Sequence, residues 1–276
     1  MTDTVNYQNP KPQFDIGRVF NRTFGAIKHN PKVFLITSLV VIGIPMFFIG
    51  LLPLFMGVGG IGGLEDPDAL ANLMTASIIA SVVTVIFLLI ASVVLQGALI
   101  FAAVKDFNNE RATLGEAVGI GFRYFFPLIG LAILVTLGVL AGLVLLIIPG
   151  LLLALGWSIA APILVIEGRS IADSIGRSWE LTRGYKRWIL LLWVILTIVS
   201  AIISAVLGLF TLLAGDPTTV LLEGGSTTFY LMNAFFSAIA QALSTMLGAA
   251  GIAAVYYEIR QIKEGVGAES LAAIFD

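Results

Sequence analysis

The chain has 276 residues, 58% of them hydrophobic and 12% charged, with a mean hydropathy of +1.02; that is more apolar surface than one water-soluble core can hide, and a bilayer is the solvent that fits. A net charge of −2 excludes the large basic patch that nucleic acid requires. With no cysteine, disulfides, thiolate metal sites and cysteine nucleophiles are excluded as well.

In chain order, the stretch FDIGRVFNRTFGAIKHNPK comes first and spaces Ile16, Phe20, Phe24 and Ile27 by four, four and three, with Arg18, Arg22 and Lys28 elsewhere around the turn. This predicts an interfacial amphipathic helix that Pro31 ends. Asn21-Arg22-Thr23 matches the glycosylation pattern by chance, since it falls on the cytoplasmic side of the topology derived below. The sole histidine, His29, reads as a solvated or headgroup-facing side chain and cannot alone build a metal site.

A helix crossing about 30 Å of hydrocarbon needs roughly 20 apolar residues. Six uncharged stretches qualify: Val33 to Met56, Leu73 to Val104, Phe126 to Ile148, a shorter one from Gly150 to Ile166, Trp188 to Ala214, and Phe229 to Tyr257. They are continuous apolar runs, so helices are expected rather than barrel strands, which would alternate apolar and polar residues. The first span follows a polar segment and lacks a small-residue cleavage site, so it is expected to be retained rather than removed as a signal.

A second cytoplasmic segment, TLGEAVGIGFRYFFP, offers Thr113 and Glu116 as a capping box and Leu114, Ala117, Val118 and Phe122 as an apolar side, although its three glycines weaken a helix. The third, RSIADSIGRSWELTRGYKRW, sets Ile171, Ile175, Trp179 and Thr182 in a stripe, with Asp173–Arg177 and Glu180–Arg183 as surface ion pairs and Gly184 as the stop. The outer connections are glycine-rich loops at 57–72 and 215–228 and a tight Pro149-Gly150 turn. Asp66-Pro67 and Asp216-Pro217 look like starts of helices. Each pair of spans is thus preceded by one amphipathic segment, a hairpin unit used three times in parallel.

All fifteen Lys and Arg residues fall before the first span, between the second and third, between the fourth and fifth, or after the sixth. Short cytoplasmic segments retain cations during insertion, so both termini and the two basic loops are read as cytoplasmic and the chain as integral to the cytoplasmic (inner) membrane. The predicted architecture is one all-α polytopic bundle over residues 1–276: a cytoplasmic segment at 1–32, six membrane helices over 33–257, and a cytoplasmic tail at 258–276.

The run RSWELTRGYKRWILLLW, from Arg177 to Trp193, resembles the signature of a broad family of bacterial six-span proteins. That family includes YciC-like proteins and the membrane domain accompanying some glycerophosphodiester phosphodiesterases. The resemblance implies the six-span architecture; the phosphodiesterase chemistry belongs to a separate soluble barrel that this sequence does not contain.

No H-E-x-x-H, P-loop, G-x-S-x-G or charged residue occurs inside a span, so neither a metal, a cofactor nor covalent catalysis is expected. Ion-coupled carriers place ionisable groups in the membrane; a channel or uncoupled carrier for a neutral or amphipathic solute survives that test as the competing reading. Two amides, Gln96 and Gln241, lie within spans and serve either as packing bonds or beside such a solute path. Small residues recur every four positions at Ala76, Ala80 and Thr84, at Gly138 and Gly142, at Ser200, Ser204 and Gly208, and at Ser244 and Gly248, allowing close helix packing or oligomerisation. Pro45, Pro53 and Pro162 are expected to bend the first and fourth spans.

The expected functional residues are therefore Arg177, Trp179, Arg183, Lys186, Arg187 and Trp188, where cations and aromatics meet at the membrane surface. Their expected partners are membrane lipids with anionic headgroups at the cytoplasmic face, with a homo-oligomer or another membrane protein as the alternative.

Overall fold

The computed structural model describes residues 14–55, 67–213 and 226–265, and among these every regular element is a helix. In chain order they are α1 (Ile16–His29), α2 (Pro31–Ser38), a π-helical turn (Leu39–Gly43), α3 (Ile44–Gly50), α4 (Leu52–Phe55), α5 (Pro67–Phe107), α6 (Leu114–Arg123) and α7 (Phe125–Leu145). After them come α8 (Ile147–Gly156), α9 (Ala160–Glu167), α10 (Ile171–Thr182), α11 (Lys186–Leu213) and α12 (Thr227–Glu264). Six segments are long and apolar enough to cross a membrane: Pro31–Gly50, Ser77–Phe107, Phe125–Leu145, Ile147–Glu167, Lys186–Leu213 and Thr227–Glu264. They coincide with the six expected spans. Of the expected connections, residues 57–66 and 215–225, with Asp216-Pro217, lie outside the described residues; Pro67 does begin α5, so 67–72 is helix rather than the expected loop, and the second connection likewise ends early, with Ser226 capping α12.

Two spans are broken internally, each beside a proline. Pro45 has no N–H to donate back to Val41, and the preceding turn widens so that the Ile44 N–H bonds to the Leu39 carbonyl five residues back. Pro162 likewise leaves Ser158 without its usual donor, and residues 157–159 separate α8 from α9. The turn between the third and fourth spans differs from expectation. The chain reverses at Leu146, whose backbone is extended (φ −165°, ψ 150°), and Pro149-Gly150 falls in the first turn of α8. Proline is harmless there because the first helical N–H groups have no internal partner. Gly150 is needed for closeness: a Cβ on it would come within 2.5 Å of Leu143.

The last helix is the axis of the bundle. Its small residues Ala234, Ala238, Ala242, Ala250, Ala253 and Ala254 are buried against α3, the π-helical turn, α1, α5 and α11. Without a hydrophobic drive between helices in lipid, such close backbone approach is what packing relies on. Gly50 shows how tight it is, since a Cβ there would meet that of Ala234 at 2.8 Å.

Helix α1 docks on the end of α12, but not by its large apolar stripe. Val19, Thr23 and Ala26 are buried, while Phe24 is 40% exposed and Phe20 and Ile27 are half-buried. Asp15 caps the helix by accepting from the Gly17 and Arg18 N–H groups at 2.7 and 3.3 Å. Arg18 and Arg22 both reach the fully buried Glu258 of α12: Arg18 donates through Nε and Nη2 at 3.0 and 2.6 Å, and Arg22 donates through Nη1. Arg22 also donates to Gln261 at 2.7 Å and lies over the Tyr257 ring.

Helix α6 forms as expected from its capping box, with the Glu116 N–H donating to Thr113 and the Thr113 N–H donating to Glu116. That backbone bond holds the Glu116 carboxyl below its ordinary range. Its buried side is Ala117 and Gly121, whereas Phe122 is exposed. The glycine that weakens the helix in isolation lets it lie on α5, because a Cβ at Gly121 would fall 2.5 Å from the Val94 carbonyl oxygen.

Replacing both Arg18 and Arg22 with Ala leaves a buried carboxylate with no cation, and should cost about 3–5 kcal/mol of stability. Either single change should cost markedly less, which thermal unfolding in detergent would read. Gly121→Ala should destabilise, whereas Gly119→Ala, whose Cβ meets nothing within 4 Å, should be neutral or stabilise by up to about 1 kcal/mol.

Candidate functional site

The chain leaves α9 through Gly168, held at φ +62°, and turns back into α10. Ser170 caps α10, accepting from the Asp173 N–H at 3.2 Å and donating to the Asp173 carboxylate at 2.6 Å. The buried face of α10 is Ser174, Ser178, Leu181 and Thr182, while Ile171 and Ile175 are half-buried and Trp179 is exposed. The expected stripe is thus rotated by about one position.

Chemistry explains that rotation. The break at 157–159 sends the Ala160 N–H to Trp157 and leaves the Gly156 carbonyl without a helical donor. Ser178 supplies one, donating to the Gly156 oxygen at 2.8 Å, and the Thr182 hydroxyl shares its single hydrogen between that oxygen at 3.1 Å and the Ser178 carbonyl at 2.8 Å. Each such bond contributes about 1 kcal/mol net, and more is lost when a buried carbonyl goes unpaired. Above the same glycine lies the Trp179 ring, so close that a Cβ at Gly156 would be 2.3 Å from it. Lys186 covers the ring at 3.2 Å from its centroid and donates to the Leu152 carbonyl at 3.3 Å.

A second ion cluster fastens α10 to α12. Arg177 pairs with Glu264, and more loosely with Glu167 at 3.7 Å and Glu180 at 3.9 Å. Arg260 bonds Glu264 at 2.8 Å and the Tyr256 hydroxyl at 2.8 Å; that hydroxyl donates to Glu167 at 3.1 Å. Lys263 donates to the Glu180 and Arg183 carbonyls at 2.7 and 3.2 Å, closing the open end of α10. The expected Asp173–Arg177 and Glu180–Arg183 pairs are not formed among the described residues; Asp173 takes the Ser170 hydroxyl and Arg177 turns to the other helices.

Of the six residues expected at this site, Trp179, Arg183, Lys186 and Arg187 line one open groove together with Gly184. Trp188 is half-buried and stacks on Phe14 at 6.4 Å, with Arg187 5.3 Å from its ring. Arg177 is held in the ion cluster outside that groove. Lys186 is occupied by the ring and the Leu152 carbonyl, so within this groove Arg183 and Arg187 are the exposed guanidiniums that no carboxylate holds; Arg111 and Arg123 are likewise exposed and without a carboxylate among the described residues, but they lie outside the groove.

Gln96 is half-buried in α5 and Gln241 is exposed on α12, and neither lines this groove. Sequence reasoning missed Glu167, Glu258 and Glu264 as partners for the cations. The available signal was their place: each is an acid at the end of an apolar run, on the side where every cation gathers. Among the described residues, no group of three or more His, Cys, Asp or Glu side chains is arranged to hold a metal ion.

No family model, no curated protein and no solved structure matches the chain.

Gly156→Ala should push the Trp179 ring off the fourth span and free Lys186, at a cost of about 1–3 kcal/mol. Faster chemical labelling of Lys186, followed by mass spectrometry, reports the release; Gly176→Ala on α10, with open space around it, should leave the labelling unchanged.

Proposed function

We propose that this is an integral protein of the cytoplasmic membrane, with both termini in the cytosol, that binds anionic lipid headgroups at its basic end and acts in envelope maintenance without covalent catalysis. The observation that carries the reading is the meeting of two guanidiniums that no carboxylate holds with an aromatic ring in one open groove. Arg18, Arg22, Arg177 and Arg260 are paired with carboxylates, whereas Arg183 and Arg187 stand exposed beside Trp179 at the start of a span. Two planar guanidiniums next to an aromatic ring fit a phosphate at the membrane surface, each forming fork-like hydrogen bonds while the ring lies among the headgroups. The resemblance of Arg177 to Trp193 to the bacterial six-span signature is consistent with this reading. A partner protein carrying an acidic segment would use the same groove.

Each cation near an anionic surface contributes about 1 kcal/mol, so Arg183→Gln combined with Arg187→Gln should weaken retention of anionic lipid about thirtyfold while leaving thermal stability unchanged. Native mass spectrometry of the protein released from mixed anionic and zwitterionic nanodiscs measures it. Arg177→Gln should do the reverse, lowering stability and sparing lipid retention. Equal retention by the double variant and the parent would remove the lipid reading.

A further inference from the structure

The groove at Trp179 contains a third cation whose charge nothing cancels. Lys186 lines it together with Arg183 and Arg187, and its ammonium rests on two neutral partners, the Trp179 ring and the Leu152 carbonyl. Among the described residues no carboxylate lies within 4.0 Å of any of the three. The nearest acid along the chain, Glu180, turns to Arg177 at 3.9 Å. Beside the site a fourth cation, Lys263, donates to the Glu180 and Arg183 carbonyls and adds to the same positive field. An isolated surface cation is satisfied by water. Three that line one open groove of about 770 Å³ repel one another, and are complemented best by an anion that meets all three.

That requirement bears on the headgroup. A phosphate diester offers one negative charge and two unesterified oxygens. A phosphate monoester offers three such oxygens and about −1.5 to −2 charges at pH 7. Three donor groups then meet three oxygens, with the guanidiniums in fork-like contact and the ammonium on the oxygen they leave. Lys186 has a flexible four-carbon stem, so its ammonium can turn from the carbonyl and the ring to a phosphate without moving the backbone. The apolar side of the groove points to a lipid as the source of that phosphate. Leu191 and Val194, four and seven residues after Arg187 and so on its side of α11, are exposed and continue the rim into lipid-facing surface.

We infer, resting on the headgroup reading above, that this groove selects lipids ending in a phosphate monoester over those whose phosphate is a diester, and that Lys186 makes the distinction.

Nanodiscs of zwitterionic lipid doped equally with phosphatidic acid and phosphatidylglycerol present the two esters side by side. Native mass spectrometry of the released full-length protein then gives the ratio retained. The parent should favour the monoester about fivefold, the effect of one further cation at an anionic surface. Lys186→Gln, whose amide can still donate to the Leu152 carbonyl, should bring the ratio to about one. Lys28→Gln, on α1 and outside the groove, should leave the ratio at the parent's value. Because the ratio is read within one sample, a loss of stability does not mimic the result. Retention of neither anionic lipid above the zwitterionic one would remove the headgroup reading itself. Equal retention of the two esters by the parent, or a preference that survives Lys186→Gln, would overturn the monoester inference and leave that reading standing. Complete displacement of the lipid by excess inorganic phosphate would make this a site for free phosphate and overturn the lipid source.

Discussion

A carboxylate withdrawn from water has to be met by charge, and Glu258 is met twice by one helix. Much of the basic end follows from that requirement. Glu258 fixes α1 across the end of α12; two turns of helix further along, Glu264 takes Arg177 and Arg260, and Glu167 joins the same cluster from α9. Helix α1 and the neighbouring pair α9 and α10, far from it in the chain, are thereby held to the end of one long helix. The geometry is directional where hydrophobic packing in lipid is not, because a tail contacts an apolar side chain as well as another helix does. Ion pairs at this end supply the register that apolar spans lack, a role buried pairs are best known to play.

How much of this could be read in the sequence depends on whether a feature needs a partner. The span count and the one-sided cations were legible because the cost of charge in hydrocarbon acts on each segment alone. The capping box of α6 was legible because Thr113 and Glu116 are three residues apart and complete each other. The faces of α1 and α10 were not. The rule that large apolar side chains turn inward holds for a protein in water; beside a bilayer, Phe24 and Trp179 can face outward, and it is Ala26, Ser174 and Ser178 that go inside. The rotation of α10 had a further cause, the orphaned carbonyl of Gly156, which depends on Pro162 and on a helix not yet folded against it.

The exposed arginines stand out by their company rather than by the lack of a carboxylate alone. Arg18, Arg22, Arg177 and Arg260 are taken up by acids that fasten helices together, and Arg111 and Arg123 are exposed apart from the groove, whereas Arg183 and Arg187 share one groove with the Trp179 ring. An isolated surface cation is a solvated charge; two of them beside an aromatic ring at the start of a span can act on one ligand.

The Arg18–Glu258 contact joins residues 240 positions apart, and this has a bearing on biogenesis. At translation rates of about 5–20 residues per second, the amphipathic helix spends on the order of ten to fifty seconds at the ribosome exit and membrane surface before its acidic counterpart is made. During that interval its two arginines lack Glu258, and Asp15 is the acid beside Arg18 on the same helix. Closure of the clamp is therefore a terminal event, possible only after the sixth span has been delivered, and a nascent chain halted short of it would keep a loose basic arm that quality-control proteases can seize.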